Sequence, residues 1–566
     1  MIRKLKYIIP VVILMTSCKK QLDINTDPNN PTTLAVSKLL PLAEKNVGLS
    51  FSFGDGNVGG LTHILSTYMQ QTSVREDPDQ YGATGSDFYI SANWSEFYIS
   101  AVTNLNVIIS EGTAQGNLKY VGIAEVLKAY GFSQMVDSYA DVPFTGAAKL
   151  LTGERNPKFD KGSDIYPQLI ALLDKGIADL GNTTAANTLT PGTDDVIYGG
   201  AVDKWIKAAN TIKLKLLLQE RLVKDVSAEV NALITAGNLI SQTSDDFVLP
   251  FGVNGATDDR NPGFSEYFAS QRTVYINPWF YEVLKGYNPK IYTGITDPRI
   301  PYYFFNQVLA DTPPASNTEY RDGGFISIYF GSVGPNQGNN QQNFQTQLGI
   351  YPVGGRYDDG NGAISNGAPV GVSSSSGTGA APYRFITYAD LLYMEAELIK
   401  AGIVTGDARA KLKAAMEESF KQVDYVVKQF VKPTQSVPAI AGTTAATDYV
   451  NSILAQYDAK PAQQMESIMT QKWIESYGSS VDQYTDHRRT GFPVIFDPND
   501  PTQAPNHFVQ PPIDGDPSLP GAQLPVKVQS LRKFPLSLPW YSIELESNSN
   551  APSQKEPSSY KVFWNP

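Results

Sequence analysis

The chain has 566 residues, enough for one large domain or several ordinary ones. Its formal net charge is −11 at pH 7 and only 18% of its residues are charged. A nucleic-acid-binding surface needs clustered Lys and Arg, so this composition excludes nucleic acid as a partner. The single cysteine, Cys18, leaves no internal disulfide, so stability must come from a large core.

The N-terminal segment is typical of a secreted lipoprotein. Basic residues precede an apolar run at 8–15 and two small residues, which is the order of a secretory signal and its cleavage site. Cys18 follows that site directly, where bacteria attach lipid. We predict a signal peptide at 1–17, acylation of Cys18 and a polar tether at 18–33, so that only the lipid anchor contacts the membrane. A plain secretory signal with an incidental cysteine is the alternative.

Apolar residues recur at helical spacing in two blocks, about 34–243 and 384–477. We expect Ser163 to be the N-cap of one of these helices. The predicted helices are 61–71, 87–111, 118–136, 164–180, 202–223, 228–236, 388–401, 407–420, 447–457 and 462–477.

Two regions, about 244–383 and 478–566, show no lasting helical period and are rich in Gly, Pro and aromatic residues. Irregular regions of this length in a compact domain are usually functional or disordered, and the many aromatic residues of 244–383 argue against disorder. We therefore predict a mainly α fold in which paired helices stack like tetratricopeptide units, with a large irregular insertion and an irregular tail. We expect 34–566 to form one large domain and the irregular regions to carry the ligand face.

Motifs for several enzyme classes are incomplete or missing. The sequence GDGNVG at 54–59 fits GxGxxG, but the polar stretch 72–85 supplies no second strand of a dinucleotide-binding unit. The three histidines have no metal-ligand spacing, and there is no Walker A loop, GxSxG elbow or HExxH. We predict a non-enzymatic protein without a cofactor. A glycosidase-like carboxylate pair stays open, as does a structural calcium ion at 358–361 or 497–500, although Asx turns explain these Asp clusters better.

Aromatic side chains give the strongest indication of a binding function. Aromatic rings stack on the apolar C–H faces of sugars, while polar side chains bind the hydroxyl groups. The polar loop 75–81 (REDPDQY) ends in an aromatic residue and is a second candidate wall of the site. We predict these ligand-binding residues: Arg75, Asp77, Tyr81, Tyr275, Trp279 and Tyr302. For each ring, packing inside the fold is the alternative.

Motifs in a fixed order along nearly the whole chain resemble the SusD/RagB-type nutrient-binding lipoproteins, and the last of them resembles the SusD-like branch. These motifs are LDINTDPN at 22–29, WSEFY at 94–98, YADVPF at 139–144, FITYADLLYMEAE at 385–397 and DHRRTGFP at 486–493. The segment RKFP at 532–535 departs from the pattern, because no acidic residue follows its proline closely.

The resemblance implies a tetratricopeptide-like scaffold and a lipoprotein on the outer face of a Gram-negative outer membrane. It also implies a SusC-like TonB-dependent transporter as the partner, which the protein covers like a lid. The expected cargo is an oligosaccharide. A peptide cargo, a surface glycoside hydrolase and a helical adaptor without a small ligand are the alternatives. We expect the shared motifs to be structural, so they do not identify the cargo.

Overall fold

The computed structural model describes residues 35–566, with gaps at 55–59, 76–78, 150–152, 270–271, 313–318, 333–342, 363, 366–367, 370, 480, 501, 503–507, 510–525 and 529–531. The predicted signal peptide, Cys18, the tether and Asp77 lie outside the described residues. None of the helices in the described ranges combines the length and apolar character needed to cross a bilayer.

The fold is mainly helical, as predicted from the sequence. The α-helices are α1 (Val36–Phe51), α2 (Leu61–Tyr68), α3 (Phe88–Ser95), α4 (Thr103–Gln115), α5 (Leu118–Tyr139), α6 (Gly162–Leu180), α7 (Val202–Glu220), α8 (Ser227–Ala236), α9 (Gly263–Phe268), α10 (Pro278–Lys285), α11 (Ile300–Tyr303), α12 (Ile350–Val353), α13 (Tyr388–Lys400), α14 (Ala408–Val426), α15 (Thr444–Ala459), α16 (Gln464–Glu475), α17 (Val481–Thr490) and α18 (Ser542–Ser547).

Consecutive long helices pack as pairs, with α5 against α6 and α13 against α14 as the most extensive. The first pair is antiparallel and very close. A Cβ atom on Gly122 would lie 2.6 Å from the Leu180 side chain and 2.7 Å from the Gly176 carbonyl oxygen. Glycine at this crossing therefore permits the contact, and a larger residue would force the two helices apart.

Helix ends differ from the sequence predictions for identifiable reasons. The predicted helix 87–111 is continuous from α3 to α4 through a π-helical segment, Glu96–Val102. Ser163 is not an N-cap, so that prediction is wrong: α6 begins at Gly162, whose N–H donates to Asp141 Oδ1 at 3.0 Å. A distant carboxylate thus caps this helix instead of the local serine.

The strands are short and form antiparallel pairs: β1 with β5, β2 with β3, β4 with β12, β6 with β9, β7 with β8, β10 with β11 and β13 with β14. Their bounds are β1 (Thr72–Val74), β2 (Val142–Pro143), β3 (Phe159–Asp160), β4 (Phe247–Leu249), β5 (Val274–Ile276), β6 (Phe304–Phe305), β7 (Tyr320–Asp322), β8 (Phe325–Ser327), β9 (Gln347–Leu348), β10 (Ile364–Ser365), β11 (Ala368–Pro369), β12 (Tyr383–Ile386), β13 (Phe508–Val509) and β14 (Val526–Lys527). The β1–β5 pair joins the first helical block to the irregular insertion.

One large hydrophobic core runs through the helical blocks, the insertion and the tail. Three tryptophans, Trp205, Trp473 and Trp564, are fully buried in it. Trp564 lies two residues from the C-terminus, and its Nε1 donates to Asp137 Oδ1 of α5 at 2.9 Å. The irregular tail therefore completes the core of the first helical block.

A buried ionic network joins α7, α13, α16 and α17, and we call it the Glu397 network. Arg489 donates to both carboxylate oxygens of Glu397 and, at 2.6 Å, to Asp486. Arg221 donates to Glu397 at 2.8 Å, and Lys472 donates to Asp486 at 2.7 Å. Burial alone would raise the pKa of Glu397, but the neighbouring Arg489 and Arg221 lower it to about 2. The ionised carboxylate therefore stabilises the fold at neutral pH, and this contribution is lost as the pH falls toward 2.

A second buried carboxyl group, that of Glu44, has a raised pKa instead of a lowered one. Glu44 of α1 is fully buried, and its Oε2 accepts the Val196 N–H at 2.8 Å. Its neighbour Asp195 accepts four hydrogen bonds, from Ile197, Tyr198, Gly200 and Trp205. Burial, followed by the negative charge of Asp195, raises the pKa of Glu44 well above its usual value.

We predict that Glu397→Gln destabilises the protein by about 3 to 5 kcal/mol, because it leaves the buried Arg489 without its countercharge. Urea unfolding at pH 7 measures the change. The matched control is Asp458→Asn, which breaks an exposed pair with Arg409 and should have a much smaller effect, because solvent screens that pair. Equal effects of the two substitutions would contradict a supporting role for the network.

We predict that Glu44→Gln stabilises the protein at pH 8 and has less effect at pH 5. A carboxyl group whose pKa is higher in the folded state binds more protons when folded, so the wild-type protein loses stability as the pH rises. Glutamine keeps the acceptor for Val196 and has no proton to lose. Thermal unfolding from pH 5 to pH 8 tests this, and a variant curve parallel to the wild-type curve would refute it.

Candidate functional site

The loop after β1 is held at its base by backbone and side-chain hydrogen bonds. β1 pairs with β5 in the register Thr72 to Ile276, Ser73 to Tyr275 and Val74 to Val274. The Gln80 side chain both accepts from the Val74 N–H, at 2.7 Å, and donates to its carbonyl, at 3.1 Å. Arg75 is buried, and its N–H donates to the Thr273 carbonyl at 2.8 Å. The predicted loop 75–81 therefore starts from a rigid base.

Tyr81 closes this loop against the tail. Its ring packs 5.1 Å from that of Phe330 and 5.4 Å from that of Phe534, and only 7% of the residue is exposed. Its hydroxyl accepts a hydrogen bond from Gln70 Nε2 at 3.3 Å, and burial raises its pKa. Tyr81 thus supports the surface rather than presenting an open ring face.

Trp279 presents a half-buried indole ring on a fixed backbone. Asn277 caps α10 by accepting the Trp279 N–H at 2.8 Å, and Pro278 occupies the first helical position. The indole Nε1 donates to the Val494 carbonyl at 3.1 Å, and the ring centroid lies 6.0 Å from that of Phe496. With two rotatable bonds fixed in this way, the exposed part of the indole is a preorganised stacking surface.

Gln70 connects Tyr81 to the Trp279 site. Besides its bond to Tyr81, its side chain accepts the Phe496 N–H at 2.7 Å and donates to the Phe496 carbonyl at 2.6 Å. We call the surface at Trp279 and Val494, with the buried Gln70, Tyr81 and Phe496 beneath it, the Trp279 face. Sequence reasoning missed Gln70, Val494 and Phe496, and the only signal for the last two is that they follow the GFP turn at 491–493.

A polar pair lies two residues along the chain from Tyr81 and from Phe534, whose rings are in contact. Arg532 Nε lies 3.1 Å from Asp79 Oδ2, and the Arg532 side chain is mostly exposed. This pair joins the loop 75–81 to the RKFP segment of the tail. A mostly exposed guanidinium group and a partly exposed carboxylate can bind hydroxyl groups of a ligand, so they suit the rim of a sugar site.

The other predicted ring residues lie elsewhere. Tyr275 is fully buried on β5, so its ring has no surface on which a ligand could stack. Tyr302 is also buried, and its hydroxyl donates to the Pro438 carbonyl at 2.6 Å. Its neighbour Tyr357, 4.9 Å away between ring centroids, is half-buried and presents the aromatic surface at that place. The structure therefore links Tyr81 to Trp279 through Gln70 and Phe496, whereas Tyr302 lies elsewhere.

The Asp clusters weighed as calcium sites form local turns. Asp358 and Asp359 accept the N–H groups of Gly360 and Asn361, and Asp497 accepts that of Asn499. Within the described ranges, no group of three or more His, Cys, Asp or Glu side chains is placed to hold a metal ion. Asx turns account for the observed contacts.

Comparison with known proteins identifies the family. Residues 28–512 match the SusD-like_2 profile, described as "Starch-binding associating with outer membrane". The chain belongs to the SusD-like family. This confirms the resemblance inferred from the motifs, and the family is one of binding proteins associated with the outer membrane. No curated protein matches the chain.

Solved SusD-like structures share the fold. A chitin-binding protein has 19% identity and a TM-score of 0.64, over 94% of this chain and 100% of that one. A Bacteroidetes SusD-like protein has 17% identity and a TM-score of 0.63, over 94% and 100% of the two chains. A SusD/RagB family protein from Bacteroides thetaiotaomicron has 20% identity and a TM-score of 0.59, over 94% and 99%. The helical scaffold is thus the tetratricopeptide-like one of SusD-like structures.

Proposed function

We propose that this SusD-like protein is a lipid-anchored protein on the outer face of the outer membrane. It captures an oligosaccharide without altering it and passes it to a SusC-like TonB-dependent transporter. The family match over residues 28–512 carries this proposal, because the family is described by starch binding and outer-membrane association. The structural likeness to a chitin-binding protein also supports a carbohydrate cargo.

The Trp279 face is the place where we propose that the sugar binds. The indole of Trp279 supplies an apolar stacking surface, and Asp79 with Arg532 supplies charged groups for the hydroxyls. Gln70, Tyr81 and Phe496 hold this surface in place, so little side-chain entropy is lost on binding. One stacking platform with a polar rim supports modest affinity, which suits a protein that must release its cargo.

We predict that Trp279→Ala weakens oligosaccharide binding by about 2 kcal/mol, or roughly 30-fold, the size expected for a central aromatic contact. Isothermal titration calorimetry against starch and chitin oligosaccharides and a peptide library measures the affinity. Phe88→Ala is the matched control, because Phe88 is an exposed aromatic on α3 with 47% exposure and should leave affinity unchanged.

Three outcomes of this experiment count against parts of the proposal. Unchanged affinity of Trp279→Ala would remove the Trp279 face as the site. Binding of peptides alone would replace the oligosaccharide cargo with a peptide cargo. Hydrolysis of any glycan by the purified protein would favour the glycoside hydrolase alternative.

We predict that Cys18 carries the lipid anchor. In the native host, the wild-type protein should incorporate labelled palmitate and remain with the outer membrane, whereas Cys18→Ser should do neither. Protease treatment of intact cells should degrade the wild-type protein if it faces outward. Label incorporation into Cys18→Ser, or wild-type protein in the cytosolic fraction, would contradict lipid anchoring at this residue.

A further inference from the structure

One face of α17 holds the tail just after Phe534. Tyr484 and Arg488 lie one turn apart on this helix, so their side chains point the same way. The Tyr484 hydroxyl donates to the Pro535 carbonyl at 2.8 Å, and Arg488 Nη1 donates to the Leu536 carbonyl at 2.9 Å. The backbone on the C-terminal side of Phe534 is therefore fixed against the helical scaffold.

The Phe534 ring packs between α17 and Tyr81. Its centroid lies 4.9 Å from that of His487, 5.8 Å from that of Tyr484 and 5.4 Å from that of Tyr81. The contact with Tyr81 is edge-to-face, with an angle of 78° between the ring planes, an arrangement that aromatic pairs favour. Phe534, itself half-buried, thus joins α17 to the end of the loop 75–81.

One line of contacts runs from Tyr81 to the indole ring of Trp279. Gln70 Nε2 donates to the Tyr81 hydroxyl at 3.3 Å, and the same side chain is bonded to both backbone polar groups of Phe496. The Phe496 ring centroid lies 6.0 Å from that of the indole. A displacement of Tyr81 would therefore move the ring against which the indole packs.

A second line of contacts runs through His487. Its Nδ1 lies 3.0 Å from the Pro493 carbonyl oxygen, and because a carbonyl oxygen only accepts, Nδ1 carries the proton. Val494 follows Pro493 in the chain, and its carbonyl accepts the indole N–H of Trp279 at 3.1 Å. The ring contact and the hydrogen bond that orient the indole thus both lead back to rings that touch Phe534.

We propose that Phe534 is a positioning residue for the Trp279 face: it sets the orientation of the indole through Tyr81 and His487. The inference rests on the proposed function, since it concerns the same sugar site. In this role the sugar stacks on the indole, while Phe534 keeps the supporting residues in place. A stacking surface whose supports are locked loses less entropy on binding, so a residue that locks them contributes to affinity.

Fluorine NMR follows the Trp279 indole in the ligand-free protein. The chain has six tryptophans, and Trp279→Phe assigns the Trp279 signal in protein labelled with 5-fluorotryptophan. We expect Phe534→Ala to shift or broaden this signal, whereas Phe430→Ala should leave it unchanged. Phe430 is the matched control, because its ring is also half-buried but packs on Tyr425, 6.0 Å away. An unchanged Trp279 signal in Phe534→Ala would overturn the proposal.

Calorimetry with maltoheptaose and, separately, with chitohexaose distinguishes positioning from direct contact. For the sugar that binds the wild-type protein, Phe534→Ala should weaken binding roughly tenfold, and Phe534→Met should restore it to within about twofold of wild type. Methionine packs well on aromatic rings but offers no flat ring on which a sugar can stack. If Phe534→Met binds as weakly as Phe534→Ala, the Phe534 ring contacts the sugar itself and the positioning role is refuted. Where Phe534→Ala does not fold, the smaller truncation Phe534→Val replaces it under the same criteria.

The positioning role and the proposed function fail separately. If Trp279→Ala abolishes oligosaccharide binding while Phe534→Ala changes neither the Trp279 signal nor the affinity, the proposed function stands and the positioning role is refuted. If neither sugar binds the wild-type protein, the proposed cargo is refuted, and a shifted Trp279 signal in Phe534→Ala still supports the control of the indole by Phe534.

Discussion

Folding must bring Glu397 and Arg489 together, because neither charge can be buried alone. Glu397 and Arg489 have no exposed side-chain surface, and burying either charge alone would cost several kcal/mol. The charges are tolerable only where α7, α13, α16 and α17 meet in one arrangement. Buried pairs of this kind often add little net stability compared with apolar packing. We infer that the network serves mainly to fix the register of these four helices.

The position of these helices also fixes the Trp279 face, because residues of α16 are hydrogen-bonded to the segment around Gln70. Lys472 of the network precedes Trp473, whose Nε1 donates to the Met69 carbonyl at 3.0 Å. Gln71 Nε2 in turn donates to the Trp473 carbonyl at 2.6 Å. Gln70, between these two anchors, adopts a positive φ of 54°, a strained conformation that its neighbours hold in place. The Trp279 face thus takes its geometry from the helical scaffold.

The same network explains which parts of the fold could be predicted from the sequence. Long helices with a regular apolar stripe, such as α5 and α7, were predictable because hydrophobic burial drives both the pattern and the structure. Helix α17 (VDQYTDHRRT) was missed because most of its buried residues are polar or charged, and two of them, Asp486 and Arg489, form ion pairs with other helices. Apolar periodicity in a sequence reveals only those helices that bury apolar residues. A helix buried through salt bridges has a polar sequence, so it resembles a loop.

Only part of the candidate site was predictable, because a sequence gives the residue types but not which of those residues are buried. The residue types indicated aromatic stacking, and Trp279 does present part of its ring to solvent. Tyr275 and Tyr302 belong to the same aromatic-rich region but lie inside it, because tertiary packing rather than residue type decides which rings are buried. Nothing in the sequence indicated Gln70, because its role depends on a contact with Phe496, which is 426 positions away.

The location of the shared motifs also explains why family membership does not identify the cargo. Glu397 and Arg489 belong to motifs that resemble those of the family, and both form ion pairs within the Glu397 network. Asp141, in another such motif, is engaged by Gly162, Lys161 and Tyr560. Trp279 and the loop 75–81 lie outside these motifs. The motif residues Glu397, Arg489 and Asp141 therefore belong to the scaffold and do not define the cargo, so specificity must be measured for this protein itself.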